Sequence, residues 1–146
     1  MKNYKIGFDV GALIVFLIIM IPNILWMLVP SQNDVLRSQS ITPVVDMAAS
    51  VSQIVMIVML CFLKNVQGSS LKVFLILTAI AVIFYLSLWV LYYSGIVYSP
   101  ILMGLSVFPC LAFLTYSLYR KNYITIIPLS VFTVCHIIFV VVNFMN

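Results

Sequence analysis

Asp46, Ser50 and Gln53 recur at i, i+4 and i+7, the spacing that puts side chains on one face of a helix. An acid, a hydroxyl and an amide in line offer a ligand both acceptors and donors. Tyr85, Trp89 and Tyr92 repeat that spacing, and aromatic rings in a row make a stacking wall for an organic molecule or a cation. His136 is the only histidine, and its imidazole can change charge near neutral pH. Asn23, Trp26 and Cys110 add an amide, an indole and a thiol on otherwise apolar stretches. The candidate binding set is therefore Asn23, Trp26, Asp46, Ser50, Gln53, Tyr85, Trp89, Cys110 and His136.

Each of these residues also has a plainer role. Asp46 suits the first turn of a helix through the helix dipole. Asn23 and Gln53 can bond one helix to another. Tyr92, Tyr93 and Tyr98 fit an aromatic belt at a membrane interface, for which Tyr85 lies too deep. Cys110 and Cys135 sit at similar depth near His136, a set that suits a soft metal. Cysteine is equally a small apolar filler, and the sequence assigns no metal and no cofactor. There is no C-x-x-C among Cys61, Cys110 and Cys135, no H-E-x-x-H and no G-x-S-x-G. Catalytic residues are not assigned either.

The elements that must carry these residues follow from composition. Of 146 residues, 65% are apolar and 7% charged, against roughly 25% charged in a soluble domain. Water cannot solvate such a surface. This excludes a soluble enzyme, a disordered chain and a nucleic-acid binder. Five segments reach the roughly 20 apolar residues needed to cross a bilayer: 10–30, 43–63, 71–94, 100–119 and 123–145. They are too long for barrel strands and lack period-2 alternation, so the expected fold is all-α, a single five-helix transmembrane domain. Pro43 and Pro100 mark helix starts. Pro22, Pro109 and Pro128 fall inside spans, where kinks are expected.

Charge orients the bundle. Lys2, Lys5, Lys64, Lys72, Arg120 and Lys121 fall on one side of a five-span alternation, and only Arg37 on the other. Bases favour the cytoplasmic side, which predicts a cytoplasmic N-terminus, an external C-terminus and a multi-pass protein of the cell membrane. The first apolar run is too long for a signal-peptide core. On this orientation the candidate residues lie from midplane to outer surface, while the inner halves are nearly pure Leu, Ile, Val, Phe and Met. Asp9, at the inner start of the first span, is the exception.

The expectation is an outward-facing polar and aromatic pocket that binds, or helps to transport, a small organic molecule. Besides the bilayer, the expected partners are that molecule and a second copy or another membrane protein. The alternative is an immunity or accessory subunit packed on another membrane protein. A lipid-acting membrane enzyme would have only Asp46 and His136 to work with.

Overall fold

The computed structural model describes residues 3–145. Its architecture is all-helical, with five helices long and apolar enough to cross a membrane. They are α1 (Val10–Leu28), α2 (Pro43–Phe62), α3 (Lys72–Tyr93), α4 (Ser99–Tyr119) and α5 (Ile126–Phe144). Each lies within two or three residues of its expected span. Short 3-10 turns at Val35–Arg37 and Tyr123–Thr125 precede α2 and α5. Because α5 begins only at Ile126, Pro128 falls in its first turn. Nothing is lost there, since that amide has no intrahelical partner. Pro22 and Pro109 do lie inside α1 and α4.

The helices run up and down, so one end of the bundle gathers the chain start, the α2–α3 loop and the α4–α5 turn. This is called the proximal end. The distal end holds the loops after α1 and α3. Lys5, Lys64, Lys72, Arg120 and Lys121 are all proximal, and Arg37 is distal. Lys2 lies outside the described residues.

α4 is the central helix. Eleven of its residues are buried, against three in α1. Gly104, Ser106, Cys110, Ala112 and Ser117 keep its surface narrow, as helix contacts within a bilayer require. At Gly104 even a Cβ would collide with Leu88 of α3. Thr78 and Thr115 share a hydrogen bond of 2.9 Å across this contact, and Phe84 stacks on Phe108. α5 packs on the other flank of α4 and against α2.

The proximal end is closed by polar contacts. Asp9 is the N-cap of α1 and accepts from Ala12 N at 3.2 Å. The same carboxylate accepts from Tyr116 Oη at 3.0 Å and from Arg120 Nε at 2.5 Å, both on or just after α4. Its own amide donates to Cys61 O. One buried acid thus ties α1 to α2 and α4. Beside it two short strands unforeseen from sequence, β1 (Tyr4–Ile6) and β2 (Leu63–Asn65), pair antiparallel. Asn122 Nδ2 donates to Met59 O and Leu63 O, fastening the α4–α5 turn to the end of α2.

The Arg120→Ala change leaves the buried Asp9 carboxylate without its cation and should lower unfolding free energy by about 3 kcal/mol. The Asp9→Asn/Arg120→Met double change, which removes both charges and keeps an acceptor for Ala12 N and Tyr116, should recover part of that loss. Denaturant unfolding in mixed micelles measures both, and an Arg120→Ala protein as stable as the parent would refute the tie. Gly11→Ala should cost about 1–3 kcal/mol by overpacking, because its Cβ would strike the Tyr116 hydroxyl.

Candidate functional site

The distal end is organised around Asp34, a residue of the α1–α2 loop outside the candidate binding set. Trp26 Nε1 donates to Asp34 Oδ1 at 2.8 Å, and Tyr92 Oη donates to the same oxygen at 2.8 Å. Arg37 Nε donates to Oδ2 at 2.7 Å. The guanidinium lies 5.1 Å from the Trp26 ring centre and donates onward to Trp26 O. Tyr92 Oη also accepts from Leu36 N at 3.3 Å. Ser31 Oγ donates to Tyr92 O, and Tyr93 Oη to Val29 O. The loop is thereby pinned to the ends of α1 and α3.

Burial raises the Asp34 pKa. The hydrogen bonds from Trp26, Tyr92 and Arg37 outweigh it and hold the carboxyl below the ordinary value of 3.8. It is an anion at neutral pH.

Beside this clasp lies a shallow cavity, open to the surface, of about 640 Å³ lined by Asn33, Asp34, Val35 and the segment 95–98. Gly95 has φ +82°, a left-handed conformation suited to glycine, and turns the chain sharply after α3. Asn33 Nδ2 donates to Gly95 O at 3.4 Å, joining two walls of the cavity. Among its lining residues Asn33, Asp34 and Tyr98 have polar side chains. Val35, Ile96 and Val97 supply apolar surface.

The residues singled out in the sequence fall into separate groups. Asn23, Trp26, Tyr85 and Trp89 belong together on α1 and α3. Asn23 Nδ2 donates to Tyr85 Oη at 2.7 Å and to Ile19 O at 2.9 Å. The second bond sits beside the one that Pro22 cannot make. Trp89 is buried with its ring edge-on to Tyr85 and Tyr92. Its indole nitrogen has no hydrogen-bond partner among the described residues.

Asp46, Ser50, Gln53 and His136 lie elsewhere, on α2 and α5. Asp46 accepts from Thr42 Oγ1, which accepts in turn from Asn143 Nδ2 of α5. Ser50 is exposed and bonds back to Asp46 O. Gln53 is half-buried. His136 stacks on Phe132 and Phe139, with ring centres 5.0 and 6.3 Å away. Cys110 lines a smaller, mostly apolar cavity of about 290 Å³ between α4 and α5, with Ser130 and Thr133. Among the described residues no three of the His, Cys, Asp and Glu side chains group as a metal site would need.

Asp34, Asn33 and Arg37 thus enter the site from a loop, where no periodicity marks them. The one local signal is the i, i+3 spacing of Asp34 and Arg37.

A carboxyl with a depressed folded-state pKa adds stability that is complete above its unfolded value and is lost as pH falls through the folded one. Thermal stability should therefore fall below about pH 3.8, and the Asp34→Asn change should remove part of that acid dependence. Tyr92→Phe should cost about 1.5–3 kcal/mol at neutral pH, the worth of a hydrogen bond to a charged group. Melting curves across pH check both, and an unaltered acid limb in Asp34→Asn would count against the assignment. Comparison of the chain with protein-family models, curated proteins and solved structures finds no match to any of them.

Proposed function

We propose that the chain is a small multi-pass protein of the cell membrane that binds a small organic molecule at its distal end, alone or as part of a transport system. The cavity beside Asp34 carries the reading. Its volume of about 640 Å³ lies within the roughly 300–1,000 Å³ usual for small-molecule sites. It combines apolar walls with a few placed polar groups, as such sites do. The charge partition supports an external distal end and a cytoplasmic N-terminus. Five described bases sit at the proximal end and one at the distal end, and bases favour the cytoplasmic side.

The binding residues on this reading are Asn33, Asp34 and Tyr98. Trp26, Tyr92 and Arg37 hold Asp34 in place. Asn23, Tyr85 and Trp89 continue the aromatic and polar column beneath them. A ligand with one hydrogen-bond donor and a compact apolar body matches the lining.

Purified protein should gain thermal stability from at least one member of a panel of metabolites and small lipophiles. For that compound, Asn33→Ala and Tyr98→Ala should each weaken binding about tenfold, the equivalent of one hydrogen bond. Neither residue belongs to the Asp34 clasp, so the melting temperature without ligand should hold. A panel that shifts nothing, or a shift indifferent to both changes, would defeat the reading.

A further inference from the structure

We propose that Lys5 and Lys64 form a binding site for the phosphate of an anionic phospholipid, seated beside the Phe8 and Phe62 rings. This rests on the membrane-spanning character of the five helices and is independent of the distal cavity.

Lys5 and Lys64 are direct partners in the antiparallel pairing of β1 and β2. Like charges directly opposite one another destabilise such a pair. The neighbouring partners Tyr4 and Asn65 both donate to Lys121 O, so their face of the ribbon is turned onto the α4–α5 turn. Alternate residues of a strand point to opposite faces. Lys5 and Lys64 therefore project away from that turn, side by side. Lys5 is exposed and Lys64 half-buried, its stem lying against Gly7.

No acid in the chain is placed to neutralise them. Asp9 is the acid at the proximal end, and it is buried and engaged with Arg120 and Tyr116. Asp34 and Asp46 lie in the other half of the molecule. An anion from outside the chain is thus free to pair with them.

Its position argues for a lipid. Phe8 immediately precedes the Asp9 cap of α1 and Phe62 is the last residue of α2, so both stand where apolar spans begin and end. Their rings lie 5.3 Å apart and about half exposed (44% and 50%). Two lysines paired across a ribbon that adjoins two half-exposed aromatic rings at the helix ends suit a phosphodiester with hydrocarbon beside it. Basic pockets between membrane helices recognise anionic headgroups in this way. Lys72 and Lys121, at the same end, add attraction without sharing the ribbon.

The test is thermal unfolding in zwitterionic micelles with phosphatidylglycerol titrated in. Phosphatidylcholine and inorganic phosphate serve as separate arms. Phosphatidylglycerol should raise the melting temperature of the parent. Lys5→Gln/Lys64→Gln should need about 30-fold more of it for the same shift, from two surface lysines. Lys72→Gln/Lys121→Gln should need no more than about threefold more. Without anionic lipid the first double variant should melt at or above the parent, because the cross-strand repulsion is gone. Equal losses in the two double variants would mean a diffuse field and overturn the site. So would stabilisation by phosphatidylcholine or phosphate alone equal to that by phosphatidylglycerol, or a first double variant that melts below the parent in its absence.

Discussion

An ionised carboxylate in a chain this apolar must find its donors within the protein. The position of α1 depends on how two acids meet that demand. Asp9 takes a backbone amide, a phenol and a guanidinium at the proximal end. Asp34 takes an indole, a phenol and a guanidinium at the distal end. Between them α1 buries only Ala12, Ile19 and Pro22. Hydrocarbon solvates Leu and Ile as well as protein does, so apolar contact alone gives little reason for helices to associate. α1 is placed by polar ties at its two ends and by the Asn23–Tyr85 contact between them.

The rest of the bundle works differently. α4 is buried along most of its length because small residues let α3 and α5 approach it, and close packing supplies the attraction. Gly104 meets Leu88, and Ser106, Cys110 and Ala112 are buried with it. The two modes meet at Tyr116 and Arg120, where the packed helix supplies the donors that capture Asp9. A change in the central packing therefore reaches the proximal end of α1 directly through the Asp9 carboxylate.

The helices were legible in the sequence because their cause is local. A run of about 20 apolar residues has no other stable form in a bilayer, and Pro43 and Pro100 mark starts that the structure keeps. Part of the distal column was legible too. Asn23, Trp26, Tyr85 and Trp89 stood out as polar or aromatic groups in apolar runs, and the fold brings them to one pair of helices. Asp34 was not legible as their centre. It lies in a loop, and its partners are 8, 58 and 3 residues away, a pattern that only the docking of α1 on α3 creates. The Lys5–Lys64 pairing was hidden for the same reason, since it joins two three-residue strands separated by the whole of α1 and α2. Span position gives an expected depth for each residue, but not which helices are neighbours. That is why Asp46 and His136, at plausible depths, lie apart from the distal cavity.

The commitments of Asp34 bear on how the distal cavity can admit a molecule. A carboxylate offers about four lone-pair positions, and three are occupied by Trp26, Tyr92 and Arg37. The Ser31 backbone bonds it as well, and on the proposed reading the acid would meet a guest's donor with its own supports kept. The contact that joins the cavity walls is of another kind. The Asn33–Gly95 hydrogen bond is long, 3.4 Å, and exposed, and water can replace it at little cost. The cleft is already open, so a guest would compete only for the weak bond at its rim, while the charged clasp fixes the loop on α1 and α3. On the proposed binding reading, a guest would exchange there without loosening the bundle.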